Sequence, residues 1–336
     1  MKKDIYPKGY NTESQTQDVK PTRQFVTGGA GFIGSHLVDR LLNEGNSVTV
    51  YDSLISGRRE NIQHHFGKDN FHFLEADLRD FDTLKEAVKN YAIVWHLGAN
   101  TGIPLGNKIT DLDLKNCTIA TYNVLEAVRQ NGIKQLLFTS TSAVYGDIEK
   151  IPTAEEDGPT LPISLYGAGK LAGEGLISAY CHLFNIRALM FRFGNVVGYR
   201  MSHGVIFDFI HKLKQNPKEL TILGDGTQDK NYFLVEDCIE GMLWAFYNSP
   251  KQYDVFNLGS ETNVDVATIA QIVVEEMSLK DVQFQYTGGK RGWPGDVPTV
   301  HFNLSKISKL GWEPKHSSAE AVRIATRRLL GKDVEL

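Results

Sequence analysis

The sequence has little cysteine, little net charge and no long apolar run, and each shortage excludes something. Only three cysteines, Cys117, Cys181 and Cys238, occur in 336 residues. They are far apart and lack CxxC spacing, so neither a disulfide framework nor a thiolate metal site is indicated, and a reducing, cytoplasmic setting is expected. Lys plus Arg number 36 against 40 Asp plus Glu, a net charge of −4, which offers nucleic acid no electrostatic pull. The opening stretch over 1–22 begins with Lys2 and Lys3 and stays polar, so it reads as a tail and not as a signal peptide or membrane anchor. No internal repeat or low-complexity segment occurs. What is present is 41% hydrophobic residues and 31 glycines, enough to bury the core of one large or two modest domains.

From Gln24 to about Arg192, short β-branched runs alternate with segments of helical periodicity, the pattern of an α/β parallel sheet covered by helices. Strands are predicted at 24–27, 47–51, 71–74, 92–97, 134–140 and 186–191. Helices are predicted at 31–44, 81–90, 112–130 and 165–184, the last with Leu171, Gly175, Leu176 and Ala179 inward. After Gly198 the pattern changes to a helix at 205–215, short strands near 220–223 and 232–235, and loops rich in Gly, Pro and charge. A first domain over 23–198 and a smaller second one over 199–336 are expected, with 254–258 a candidate to return to the main sheet.

The segment Gln24–Gly34, QFVTGGAGFIG, sets Gly28, Gly31 and Gly34 between a strand and a helix. Glycines there let the turn tighten and a pyrophosphate approach the backbone, while the helix N-terminus attracts phosphate. An ordinary Gly-rich turn is the simpler alternative; the position after the first strand favours a dinucleotide site. Asp52 ends the second strand about 20 residues on. A carboxylate there bonds ribose hydroxyls and repels a 2′-phosphate, which favours NAD over NADP. Asp77, past the third strand, either faces the ligand edge or caps the next helix. Ser140, Thr141 and Ser142 end the fifth strand, and Tyr166 and Lys170 follow on one helical face. The ammonium is expected to lower the phenol from its ordinary value of about 10, giving a base near neutrality. Tyr247 with Lys251 and Tyr286 with Lys290 repeat the spacing without that setting and are expected at the surface.

Beyond the tail, the sequence resembles the extended short-chain dehydrogenase/reductase family, in its sugar-nucleotide epimerase and dehydratase branch, and is most similar to the UDP-glucose 4-epimerases. The resemblance rests on TGGAGFIG (27–34), EADLRD (75–80), HLGA (96–99), FTSTSAVYG (138–146), YGAGK (166–170) and RFGNVVG (192–198). It implies an NAD-binding Rossmann-type doubly wound parallel sheet and a smaller C-terminal α/β substrate domain. It implies Tyr166 as general base, Lys170 as its partner on the nicotinamide ribose, and Thr141 as the hydroxyl bridging substrate and tyrosine. Gly28, Gly31, Phe32, Ile33 and Gly34 would hold the pyrophosphate, Asp52 the ribose, and Asp77 and Leu78 the adenine. Leu97, Gly98 and Ala99 would line the dinucleotide, with Asn116 near the nicotinamide. A homodimer through 112–130 and 165–184 is also implied.

Dehydratases of the branch carry an Asp-Glu pair after the hydroxyl residue. Here Ser142 and Ala143 stand there, and neither can protonate a leaving hydroxyl or abstract a C5 proton as a carboxyl group does. The expected activity is therefore NAD-dependent 4-epimerisation of a nucleotide sugar, UDP-glucose and UDP-galactose or N-acetyl derivatives, through a 4-keto sugar. A uronate epimerase, a decarboxylase, a 4-ketoreductase and a non-catalytic NAD-binding protein are the alternatives. For the substrate, the resemblance assigns Asn195 to a phosphate and Lys230, where relatives carry arginine, to the diphosphate without a bidentate fork. It assigns Arg291 and Asp296 to diphosphate and ribose, Val205 and Leu223 to the base, and Val300 to the C2 side of the sugar, where valine leaves room for an N-acetyl group. His64 and His65 read as an exposed pair lacking a third ligand, and no metal is expected. Glu155, Glu156 and Asp157 read as a solvated acidic loop.

Overall fold

The computed structural model describes residues 21–106 and 108–332; the expected tail lies, but for its last two residues, outside them. In chain order the strands are β1 (Arg23–Thr27), β2 (Ser47–Asp52), β3 (Phe71–Glu75), β4 (Ile93–His96), β5 (Gln135–Thr141), β6 (Arg187–Phe193) and β7 (Asn195–Val197). They continue as β8 (Glu219–Ile222), β9 (Asp229–Lys230), β10 (Tyr232–Leu234), β11 (Tyr253–Leu258), β12 (Val264–Asp265), β13 (Gln283–Tyr286) and β14 (Thr299–Val300). The helices are α1 (Phe32–Asn43), α2 (Phe81–Ala87), α3 (Ile103–Gly106), α4 (Ala120–Gln130), α5 (Leu165–Phe184), α6 (Val205–Gln215), α7 (Val235–Asn248), α8 (Val266–Glu276), α9 (Ser305–Ser308) and α10 (Ser318–Leu329).

Seven strands form one parallel sheet in the order β11-β6-β5-β4-β1-β2-β3. Both faces are covered, which is why strands such as Ile93-Val94-Trp95-His96 are apolar or buried at every position. Leu37, Val38 and Leu41 of α1 pack with Cys238 and Met242 of α7 on one face. Leu84 of α2, Val124 and Val128 of α4 and Ile177 of α5 cover the other. A second core joins α6, α8 and α10 around Leu220, Ile222 and Tyr232, and β12, β9 and β14 make a small separate sheet beside it. β11 lies at the edge of the main sheet, against β6.

Two expectations about helices need correction. Of the four residues expected inward on α5, Leu171 and Leu176 pack against the two cores of the main sheet, while Gly175 and Ala179 face solvent; the buried positions are Gly167, Gly169, Lys170, Gly173, Glu174, Ile177, Tyr180 and Cys181. Two charged residues lie inward, and that inverts a phase read from apolar residues alone. The expected helix over 112–130 is helical throughout, but over Leu114–Ile119 it is π-helical before it runs into α4; the extra residue per turn shifts the phase of what precedes it. Among the described residues no helix is long and apolar enough to cross a membrane.

Candidate active site

The Gly-rich turn joins β1 to α1 at the C-terminal edge of the sheet. Gly28 has φ +69°, and a Cβ there would stand 2.7 Å from the Gly98 nitrogen; one on Gly34 would stand 2.1 Å from the Gly28 oxygen. Only glycine fits either place. Gly31, Phe32 and Ile33 follow the turn, and Gly31 offers α1 no side-chain cap, which leaves the first N–H groups facing outward for an anion. Asp52 accepts the Ala30 N–H at 2.9 Å on one oxygen and the Leu54 N–H at 2.9 Å on the other. Each oxygen keeps a lone pair for a ribose hydroxyl. Burial pushes the Asp52 carboxyl up, and the two N–H groups oppose it. Leu78 lies over Gly98, since a Cβ on that glycine would meet Leu78 Cδ1 at 2.6 Å. Leu97 and Gly98 are tied to Thr27 through their N–H groups, and Ala99 follows. Asp77 does not cap α2, a task taken by Asp80; it holds Arg79 in a fork with contacts of 2.5 to 3.0 Å. These groups line one edge, and their donors, glycine cradle and carboxylate fit a dinucleotide.

Tyr166, Lys170 and Glu174 stand four residues apart along α5, which is capped by Ser164, whose hydroxyl accepts the Gly167 N–H at 3.1 Å. Lys170 is buried, donates Nζ to the Thr139 carbonyl at 2.7 Å, and lies 4.7 Å from the Phe138 ring and 6.0 Å from the Tyr166 ring. Thr141, at the end of β5, sets its hydroxyl beside the Tyr166 phenol and also accepts the Ala143 N–H at 3.2 Å. The expected lowering of the phenol is corrected. Burial pushes Tyr166 well above its ordinary range, Cys117 and Asp113 add to this, and only the Thr141 hydroxyl pulls it down. The reason is geometric: the Lys170 ammonium is directed at the Thr139 carbonyl, and burial pushes that amine down as well.

Sequence reasoning missed three groups around this pair. Cys117 touches α5 where a Cβ on Gly169 would be 2.9 Å from its own, and the wholly buried Asp113 accepts the Asn100 amide at 2.8 Å. Glu174 is the third. The four-residue steps from Asp113 to Cys117 and from Lys170 to Glu174 were the available signals. Asn116, between the first two in sequence, donates its amide to the Leu112 carbonyl at 2.8 Å. The two other Tyr-Lys pairs have exposed rings, Tyr247 and Tyr286.

In the small separate sheet, β9 and β14 run side by side and set Lys230 beside the buried Val300. Lys230 pairs with Asp296 at 2.5 Å and lies 5.2 Å from the Trp293 ring. Arg291 grips Asp147 at 3.0 and 2.6 Å and donates to the Asp296 carbonyl. Leu223 borders the same turn, since a Cβ on Gly292 would be 3.6 Å from that of Leu223. Asn195, on β7, donates to the Asn231 carbonyl at 3.1 Å. Val205, at the start of α6, packs on the second core.

Of His64 and His65 only the first is exposed; His65 is buried. Both bond Asp39 through Nε2, at 2.8 and 2.5 Å, and Arg200 takes the other oxygen of Asp39 at 2.7 Å. The three groups lie close enough to share an ion. Lys68, however, donates to His65 Nδ1 at 2.7 Å, which puts the ring proton on Nε2 and makes that nitrogen a donor to Asp39, not a ligand. Glu155 is likewise no solvated charge: it is half-buried and accepts the Asn257 N–H at 2.7 Å.

Residues 24–259 match the model of the NAD dependent epimerase/dehydratase family. UDP-glucose 4-epimerase of Mycolicibacterium smegmatis is 35% identical over 308 residues, 89% of this chain and 96% of that one. UDP-glucuronic acid decarboxylase 4 of Arabidopsis thaliana is 32% identical over 310 residues, 88% of this chain and 66% of that one. A crystal structure of a UDP-galactose 4-epimerase has a TM-score of 0.83 at 40% identity, over 92% of this chain and 99% of that one. The glycine turn and the hydroxyl, phenol and ammonium of β5 and α5 all fall within the matched span, and the chain belongs to the NAD dependent epimerase/dehydratase family.

Proposed function

We propose that this protein interconverts the C4 epimers of a nucleotide sugar, with UDP-glucose and UDP-galactose or their N-acetyl derivatives as substrates. The observation that carries this reading is the meeting of Thr141, Tyr166 and Lys170 at the end of β5, with Ser142 and Ala143, not carboxyl groups, in the next two places. The Gly28–Gly34 turn, Asp52, Leu78, Gly98 and Lys170 would hold NAD. When bound, NAD would supply the acceptor and later the donor of the C4 hydride, and a positive charge to the site. Tyr166 takes the proton of the C4 hydroxyl and later returns it, while the Thr141 hydroxyl holds the C4 oxygen. The 4-keto sugar must present its other face before reduction, so the site has to grip the nucleotide and leave the hexose loose. For that grip, Lys230 has to turn from Asp296 to the diphosphate.

The reading includes a homodimer. Ala168, Ala172, Gly175, Ala179 and Leu183 of α5 face solvent at steps of three and four residues, and Ile119 and Tyr122 expose apolar surface on and just before α4. Small residues let a second copy's helices approach closely.

Similarity to a UDP-glucuronic acid decarboxylase favours a second reading, in which the 4-ketone made from a uronate loses its C6 carboxylate. The test is to incubate the protein separately with UDP-glucose, UDP-GlcNAc and UDP-glucuronate and to identify the sugars by NMR. Inversion at C4 alone is expected. A pentose from UDP-glucuronate establishes the second reading instead, and unchanged sugars in all three overturn both.

A further inference from the structure

Directly behind the reacting groups lies a buried polar network that the proposed chemistry does not use. Ser140, one residue before Thr141, donates its hydroxyl to Glu174 Oε1 at 2.5 Å. Arg192 donates Nε to the same oxygen at 3.0 Å and Nη2 to Oε2 at 2.7 Å. Ser140 and Arg192 are register partners across β5 and β6, and Arg192 also donates to the Glu155 carbonyl at 3.0 Å and lies 4.7 Å from the Tyr145 ring. Ser140, Glu174 and Arg192 are 3%, 4% and 6% exposed, so an ion pair has been taken out of water at a cost that an apolar pair would avoid. Its placement is specific: Glu174 is one turn beyond Lys170 on the same face of α5, and Lys170 binds the carbonyl of Thr139, the residue before Ser140.

We propose that Glu174 is a positioning residue: through Ser140 it fixes the strand that presents Thr141 to the helix that presents Tyr166 and Lys170. The same carboxylate acts on the Lys170 ammonium, and the groups around that ammonium come from every packed element. Tyr166 and Glu174 come from α5, Cys117 and Asp113 from the π-helical stretch and its cap, His96 from β4, Phe138 and the Thr139 carbonyl from β5, and Arg192 from β6 behind Glu174. Cys117 has its thiol pushed up by burial and His96 its imidazole pushed down by burial, so both are neutral at neutral pH. Asp113 accepts the Asn100 amide on one oxygen, and Cys117 and then Glu174 hold the Lys170 amine up against burial. Loss of the Glu174 charge would leave Arg192 as an unopposed cation behind Lys170, which then loses its proton at lower pH.

The role of Glu174 rests on the epimerase reading only where turnover is measured, and the test separates the two. Wild type, Glu174→Gln and Ser140→Ala are labelled with nitrogen-15 lysine, and the Lys170 Nζ resonance, assigned by its absence in Lys170→Met, is titrated. Alongside, kcat and KM are measured from pH to pH. In Glu174→Gln, Lys170 is expected to titrate about one pH unit lower, the alkaline fall of kcat moves with it, and KM stays within about twofold while kcat drops about tenfold or more. Ser140→Ala removes the strand-to-helix bond and leaves the ion pair, so kcat falls with the Lys170 titration unmoved; this variant carries the test should Glu174→Gln not fold. A folded Glu174→Gln with an unmoved Lys170 titration, or a Ser140→Ala with wild-type kcat, overturns the proposal. If Lys170 shifts as expected but no nucleotide sugar is turned over, the positioning role stands and the epimerase reading falls.

Discussion

Tyr166 poses the sharpest question at the scale of single residues, because burial, Cys117 and Asp113 all keep its phenol protonated. A base with its pKa raised is idle at neutral pH, so the positive charge that activates it has to come with the cofactor. The folded chain without NAD is therefore expected to show no Tyr166 phenolate at neutral pH. Addition of NAD should bring the phenolate into a lower pH range, visible as the ultraviolet difference between wild type and Tyr166→Phe. Turnover by Tyr166→Phe should fall about 10²- to 10⁴-fold, the usual worth of a proton-transfer group, with NAD binding retained. Equal phenolate spectra in the two proteins at every pH would refute this. The placement of the tight glycine turn, of Asp52 at the end of its strand and of the four-residue step from Tyr166 to Lys170 was legible in the sequence. The direction of the phenol's shift was not, since it depends on Asp113 and Cys117 from another element and on a lysine turned towards a backbone carbonyl.

At the scale of elements, the strands could be read because a parallel sheet buried on both faces leaves near-continuous apolar runs. The phase of α5 could not, for Lys170 and Glu174 are charged and yet inward, and the π-helical stretch adds a residue that no periodicity of 3.6 anticipates. The cluster at Asp39 is another contact invisible along the chain: α1 meets a histidine pair 25 and 26 residues on and Arg200 161 residues on. Burial alone would push the Asp39 carboxyl up, but donation from His65, the charge of Arg200 and donation from His64 bring it down to about 2. A carboxyl lower in the folded than in the unfolded chain stabilises fully above its unfolded value of about 4, and that support disappears as pH falls towards 2. The contribution is about 2 kcal/mol. Asp39→Asn is expected to lose about that much stability at neutral pH in urea unfolding, and the difference from wild type should shrink as pH falls below 4. A difference independent of pH would assign the loss to packing instead.

For the molecule as a whole, the groups that fit a dinucleotide come from neighbouring strands and turns of one sheet, while the proposed substrate side is assembled from distant parts. Lys230 finds Asp296 66 residues away, and Arg291 finds Asp147 144 residues away. A sequence shows those charges without showing that each cation is already paired, which is why Arg291 looked available for a diphosphate. The proposed homodimer extends that assembly to a second copy of the chain. The face of α5 turned away from the sheet carries alanine, glycine and leucine, a composition that water does not require and that close helix contact does. Ala172 is at its centre and exposed, so Ala172→Glu leaves the protomer's core intact and places a charge where two copies of the helix would meet. Burial of an unpaired charge at such a contact is expected to shift the protein from dimer to monomer in sedimentation velocity, with its circular dichroism unchanged. A wild-type monomer, or a variant that stays dimeric, would show that this face is not where the copies join.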